Sequence, residues 1–109
     1  METINYETFA RVAMKVGRVT SVEPVPGSNK LLKVTLDMGD HSRTVVAGIA
    51  QTHRPENLIG RSLIVLTNLV PRKLMGVMSE GMVLAAEDKQ GNVYLLTTER
   101  EAPPGSKVL

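Results

Sequence analysis

Apolar and polar residues alternate strictly between residues 32 and 38, which read LKVTLDM. A period of two predicts a β-strand with one buried face and one solvated face. Residues 38–41 read MGDH and predict a hairpin turn, and the β-branched run at 43–49 predicts the partner strand. This hairpin is the clearest element that the pattern predicts.

Four further segments have strand character, at residues 12–25, 61–67, 83–87 and 93–97. The first is long, and its apolar positions slip by one residue near Gly17, which predicts a β-bulge there. Breaks containing Pro, Gly, Asn or Asp separate the segments at intervals typical of a small all-β barrel or sandwich.

Two short stretches favour helix. Residues 3–11 are amphipathic, with Ile4, Phe9 and Val12 on one face and Thr3 or Asn5 as the N-cap. Residues 51–60 read as a short helical connection between the third and fourth strands, capped by Thr52 and ended by Gly60. A bent first strand, five main strands and this interruption predict an OB-fold, a five-stranded Greek-key barrel, as a single domain over residues 1–109.

Composition restricts the class of protein. The chain is 42% hydrophobic and 22% charged, has no cysteine and contains no long apolar run. No disulfide framework or cysteine metal site is therefore expected, nor a membrane span, and the acidic N-terminus does not resemble a secretory signal. We expect a cytoplasmic protein that uses no cofactor.

The net charge of +2 is unevenly distributed. Residues 11–73 hold ten Lys or Arg and four Asp or Glu, whereas residues 74–109 hold three and five. A local positive field attracts a polyanion whatever the total charge, although an ordinary solvated surface would look the same in sequence.

Catalysis has little support. His41 and His53 lie in separate polar turns, and the GVMSEG sequence at 76–81 is one residue too long for a hydrolase nucleophile elbow. No phosphate-binding loop of the G-x-x-x-x-G-K-[ST] type is present. These observations favour a protein that is not an enzyme.

Residues 68–82, NLVPRKLMGVMSEGM, form a segment that combines turn-forming residues, two cations and three methionines. We call it the signature segment, and we predict a structured loop that presents a binding surface. Arg72 and Lys73, with Lys30 and Lys33, could contact phosphates. Methionine is usually a core residue, and spacing alone places Met82 in the core. Only three aromatic residues exist, so a reader of RNA shape is favoured over a binder of single strands.

The pattern N-L-x-P-R-K-x-x-G-x-x-S-x-G-M resembles the tRNA-binding domain found at the C-terminus of many methionyl-tRNA synthetases and in stand-alone tRNA-binding proteins. VGRV at 16–19, VVAGIA at 45–50, LIG at 58–60 and PPG at 103–105 are similar to further motifs of that family. The resemblance implies an OB-fold that binds tRNA by its folded shape, alone or with methionyl-tRNA synthetase, and a homodimer. The contact residues that it implies are Lys30, Lys33, Asn68, Arg72, Lys73, Ser79 and Met82.

One loop departs from the family. VPGSNKL at 25–31 stands where the family usually has HPNADKL, so the histidine and aspartate are missing. The chain is also similar to CsaA-type proteins, dimeric OB-folds that bind polypeptides during export. A tRNA-binding module and an export chaperone for unfolded polypeptides therefore both stay open, and the intact S-x-G-M favours the tRNA module.

Overall fold

The computed structural model describes all 109 residues and contains a curled five-stranded sheet as its main element. One α-helix, one 3-10 helix and nine strands follow one another along the chain: α1 (Tyr6–Ala10), β1 (Met14–Pro24), β2 (Leu32–Asp37), β3 (Ser42–Ala47), η1 (Pro55–Asn57), β4 (Ser62–Leu66), β5 (Arg72–Leu74), β6 (Val77–Ser79), β7 (Met82–Val83), β8 (Ala85–Glu87) and β9 (Val93–Leu95).

The strand order in the sheet is β3-β2-β1-β4-β7, with every neighbouring pair antiparallel. The first three strands are neighbours in chain order, and β4 returns to lie beside β1, which is the Greek-key arrangement. The all-β OB-fold prediction is confirmed. The long β1 is central, because residues 14–18 pair with β4 and residues 18–24 pair with β2.

The bulge in β1 lies between Val19 and Ser21, so the prediction of a bulge at Gly17 is wrong. Gly17 is in regular register with Leu63, and its lack of a side chain serves packing instead. A Cβ at Gly17 would lie 2.8 Å from the Met38 Sδ and 3.2 Å from a Val65 methyl. The apolar pattern slips here because Val16, opposite Ile64, lies on the other face of the sheet, whereas Gly17 and Val19 face the core.

The inward residues of the sheet form one hydrophobic core, as the alternating pattern of β2 predicts. Leu32, Val34 and Leu36 are at most 2% exposed. Leu58, which follows η1, is fully buried and covers this core between β3 and β4. Burying one such side chain contributes on the order of 1.5–3 kcal/mol.

Both helical segments exist but are shorter than predicted. Asn5 caps α1, as expected, and its Oδ1 accepts a hydrogen bond from the Thr8 N–H at 2.9 Å. In the connection between β3 and β4 only Pro55–Asn57 is helical, and its N-cap is Arg54, so the prediction of Thr52 as the cap is wrong. Proline at the first position explains why this turn begins where it does.

The two ends of the chain lie side by side. The Val16 N–H donates to the Ser106 carbonyl at 2.9 Å and the Val108 N–H donates to the Met14 carbonyl at 3.0 Å, so the C-terminal segment pairs with the start of β1. On α1, Tyr6 and Phe9 remain 76% and 41% exposed. No helix in the structure has both the length and the apolar character that crossing a bilayer requires.

Candidate nucleic-acid interface

The signature segment contains a small β-hairpin where the sequence predicted a loop. β5 and β6 pair with Leu74 opposite Val77, and Met75 and Gly76 form the two-residue turn. Both turn residues have positive φ, +50° at Met75 and +84° at Gly76. Two successive left-handed residues are the φ pattern of a type I′ turn, which normally begins with Asn, Asp or Gly. Methionine at the first position is the reason that the sequence did not indicate a hairpin.

Ser79 anchors this hairpin to the free edge of β3. Its side chain is 5% exposed, its Oγ accepts a hydrogen bond from the Val46 N–H at 2.9 Å, and its hydroxyl donates to the Gly81 carbonyl at 3.1 Å. The next residue, Glu80, donates its N–H to the Thr44 carbonyl at 2.8 Å. The signature segment thus fills hydrogen-bonding positions at a sheet edge and is held on the scaffold.

Arg43 ties together the two ends of the signature segment. Its Nη1 donates to the Thr67 carbonyl at 2.8 Å and to the Glu80 carbonyl at 2.9 Å. One guanidinium nitrogen of β3 therefore holds the residue before the segment and a residue near its end. Arg43 was not among the residues predicted from the sequence. Neighbouring residues do not show whether an arginine in a strand is solvated or donates hydrogen bonds to distant backbone carbonyls, as Arg43 does.

The Asn68 side chain fixes the other side of the segment. Its Oδ1 accepts from the Ala13 N–H at 2.9 Å and its Nδ2 donates to the Arg11 carbonyl at 2.6 Å. These bonds occupy both functional groups of the amide on the stretch between α1 and β1. Asn68 and Ser79 were both predicted as contacts. In the structure their side chains bond to other parts of the chain and so fix the position of the signature segment.

Gly81 permits the close approach of β7 to β4. Its φ is +149°, and a Cβ there would lie 2.6 Å from the Leu66 carbonyl oxygen. Only glycine meets both conditions. The G-M at the end of the signature therefore has a structural reason, since glycine lets Met82 pair with Leu66.

The predicted cations lie on neighbouring elements. Lys33 on β2 is opposite Val46 on β3. The Val46 N–H donates to the Ser79 Oγ on β6, and Ser79 is opposite Arg72 on β5. Lys33 and Arg72 therefore belong to one row across four strands. Lys73 follows Arg72 and is exposed like it.

The loop that carries Lys30 is also beside the hairpin. A Cβ built at Gly27 in the β1–β2 loop would lie 3.3 Å from the Met75 methyl, which places the hairpin tip against that loop. Lys30 is exposed, and its carbonyl accepts from the Ala50 N–H at 3.0 Å. None of the four predicted cations takes part in an ion pair within the chain. Their charge is available to an anionic partner.

A small apolar hollow adjoins these cations. It has a volume of about 200 Å³, and its lining includes Leu69, Val70 and Met82, with Arg72 beside them. Val70 is 85% exposed and Met82 46%. The placement of Met82 in the core is therefore wrong, and the other two methionines of the segment are also about half exposed. Spacing gave the wrong place because Met82 alternates in β7 with Val83, and Val83 takes the buried side of that strand.

Comparison with known proteins agrees with this geometry. The model of a family described as "Putative tRNA binding domain" matches residues 14–107. The methionine–tRNA ligase of Methanocaldococcus jannaschii is 48% identical over 108 residues, which are 99% of this chain and 17% of that protein. The chain spans about a sixth of the length of the curated relatives it matches.

Two solved structures are similar over almost the whole chain. A MetRS-related protein from Pyrococcus horikoshii superposes with a TM-score of 0.95 at 40% identity, covering 100% of both chains. The chaperone CsaA from Bacillus anthracis superposes with a TM-score of 0.90 at 29% identity, covering 99% of this chain and 100% of that one. With the signature hairpin in place on an OB-fold, the chain belongs to the tRNA-binding domain family related to the methionyl-tRNA synthetase domain.

Proposed function

We propose that this chain is a non-catalytic module that binds folded tRNA by its shape. In this proposal it is a single domain that works in the cytoplasm, either alone or as a subunit beside methionyl-tRNA synthetase. The observation that carries the proposal is the row of cations free of ion pairs, which runs from the β1–β2 loop through β2 to the hairpin. Such a row suits a phosphate backbone, which supplies most of the affinity in nucleic-acid binding.

The seven predicted contact residues have different roles in this proposal. Arg72 and Lys73 contact phosphates directly, and Lys30 and Lys33 extend that contact along the neighbouring loop and strand. Met82 covers a sugar or base face beside Arg72. Asn68 and Ser79 act mainly by positioning the segment, because their side chains already bond to Ala13 and Val46.

The scarcity of aromatic side chains supports recognition of shape. Tyr6, Phe9 and Tyr94 are the three aromatic residues, and Tyr6 and Phe9 both lie on α1 with ring centroids 6.5 Å apart. The hairpin surface has no aromatic ring on which unpaired bases could stack. Folded RNA presents backbone and 2′-hydroxyl groups, which cations and polar groups can contact without base stacking.

A chaperone that binds unfolded polypeptides is the second candidate, since the CsaA fold is so similar and an apolar hollow adjoins the hairpin. The two functions differ in salt dependence. Binding of tRNA should weaken by about 0.7–0.9 log units per log unit of salt for each phosphate contacted. Binding of an apolar polypeptide should change little.

The test is a filter-binding titration of tRNA, poly-U and a reduced, unfolded polypeptide at several salt concentrations. We expect folded tRNA to bind best, and the double change Arg72→Ala and Lys73→Ala to weaken it and to reduce the salt slope. The matched control is Arg54→Ala with Lys89→Ala, which removes two exposed charges from other turns. Equal binding of poly-U and tRNA, or an unaltered slope in the hairpin variant, would contradict the proposal.

A further inference from the structure

A second basic site lies beside the middle of β1, where Arg18 is opposite Asp37 of β2 and Ser62 of β4. An open polar pocket of about 480 Å³ is lined by Arg18, Arg61 and Arg100, with no hydrophobic residue among its lining side chains. Hydroxyl groups of Ser62, Thr97 and Thr98 and one carboxylate, that of Glu101, complete the wall. The Thr97 hydroxyl already donates to the Ser62 carbonyl at 2.6 Å, which leaves the Ser62 and Thr98 hydroxyls as donors. Three guanidinium groups with these two hydroxyls form a set that suits a tetrahedral oxyanion.

Arg18 already binds an oxyanion in this pocket. Its Nη2 donates to the Glu101 Oε1 at 2.5 Å, and the Glu101 side chain is 75% exposed. The buried Arg18 Nε–H donates to no protein acceptor. Asp37, opposite Arg18 on β2, accepts a hydrogen bond from the Gly39 N–H. The Glu101 carboxylate is therefore an exposed group that a phosphate could replace on the same guanidinium.

The other two arginines leave the pocket positive. Arg61 follows Gly60, whose φ of +84° turns the chain into β4. Arg100 pairs only with the exposed Glu99, at 3.4 Å, a contact of little strength in water. Burial and then the charge of Arg61 lower the pKa of His53, which lies outside the lining of the pocket. The only positively charged side chains that line the pocket are its three arginines.

The pocket and the cation row face the same way. Arg18 is opposite Asp37, and Asp37 and Lys33 are four residues apart on β2, so all three project from the outer face of the sheet. Four residues of strand span about 13 Å. The pocket therefore lies within reach of a single RNA helix that also contacts Lys33 and the hairpin.

We propose that the pocket formed by Arg18, Arg61 and Arg100 binds a phosphate group, and that in the complex with tRNA this group is a backbone phosphodiester outside the hairpin contact. Glu101 occupies the site in the free protein and leaves Arg18 when the phosphate enters. The phosphodiester part of this inference rests on the proposed function, whereas phosphate binding itself does not.

The first test uses inorganic phosphate and amide NMR spectra at constant ionic strength. We expect saturable shifts at Ser62, Thr98 and Arg100 in the wild-type protein, tighter binding in Glu101→Gln, and no saturation in Arg61→Ala with Arg100→Ala. Arg54→Ala is the control, since it is an exposed arginine outside the pocket. Shifts that do not saturate in the wild-type protein, or that are identical in the double variant, overturn the proposal.

The second test measures the salt slope of tRNA binding for the same variants. Arg61→Ala with Arg100→Ala should reduce the slope by about 0.7–0.9 for each phosphate that the variant no longer binds. If inorganic phosphate binds but this slope is unchanged, the site takes free phosphate and the assignment to the RNA backbone is wrong. A pocket variant that binds tRNA normally while the Arg72 and Lys73 variant does not would defeat the assignment to the RNA backbone and leave the proposed function standing. Absence of tRNA binding by the wild-type protein would defeat the proposed function.

Discussion

Met75 is the one residue other than glycine with a positive φ, and it lies at the tip of the β5–β6 hairpin. A left-handed conformation costs roughly 1 kcal/mol for an ordinary side chain. Its methyl lies close to Gly27, yet the side chain is 58% exposed, so this contact offsets only part of the cost. Backbone strain of this kind is common at binding sites.

We therefore predict that Met75→Asn raises the free energy of unfolding by about 0.5–1 kcal/mol, because asparagine tolerates the left-handed region and suits a type I′ turn. Chemical denaturation measures the effect. Met78→Asn is the control, since Met78 is similarly exposed but lies in β6 with a regular partner, Lys73. A decrease in stability in Met75→Asn would mean that the contact with Gly27 outweighs the backbone cost.

Among the strands, β3 holds the proposed binding surface in place, although none of its residues is a predicted contact. It pairs with β2 on one side and on the other accepts the signature segment through Thr44, Val46 and Arg43. Hydrogen bonds to a charged donor contribute about 1.5–3 kcal/mol when buried groups depend on them. The hydrogen bonds from Arg43 to Thr67 and Glu80 should therefore keep the hairpin in its position beside β3, with its cations next to Lys33.

Arg43→Met should lower the free energy of unfolding by about 1–3 kcal/mol, since two carbonyl groups would be left without their donor. It should also accelerate hydrogen exchange at the Glu80 N–H, which bonds to Thr44, and weaken tRNA binding. Arg54→Met is the matched control, because Arg54 is an exposed arginine at the N-cap of η1 and makes no capping bond. Unchanged exchange at Glu80 together with normal binding would show that Arg43 does not keep the hairpin in its position.

The molecule as a whole has an apolar surface where its two chain ends meet. Tyr6, Phe9 and Val12 face Val108 and Leu109 across a groove of about 240 Å³, and Leu109 is 95% exposed. A small barrel with this much apolar surface at one place would gain by burying it against a second copy through a two-fold axis. The homodimer predicted from the sequence therefore remains our proposal for this surface.

Phe9→Asp with Val12→Asp should convert the protein to a monomer and weaken tRNA binding by reducing the contact area. Sedimentation equilibrium checks the mass, since one chain weighs 11.8 kDa. These substitutions are preferable to deletion of residues 103–109, because that segment pairs with β1 through Ser106 and Val108. Leu96→Asp, at an exposed leucine away from the groove, is the control. A wild-type mass of a single chain at every concentration would refute the dimer.

Local sequence was enough to predict the main strands, the hairpin turn after Met38 and the OB-fold class, and it narrowed the cap of α1 to Thr3 or Asn5. These features have local causes, since side chains alternate across a strand and turn residues restrict their own backbone. The resemblance in residues 68–82 also identified the family, which the family model and the relatives confirm.

The roles of the residues in the signature segment, by contrast, became visible in the folded chain alone. Asn68 bonds to Ala13 across 55 positions of sequence, and Ser79 bonds to Val46 across 33, so no local pattern could indicate their partners. The exposure of Met82 and the place of the bulge in β1 likewise depend on which strands meet. Which distant segments bond and pack together depends on the order and register of the strands in the closed sheet. The spacing of residues along the chain does not reveal that order or register.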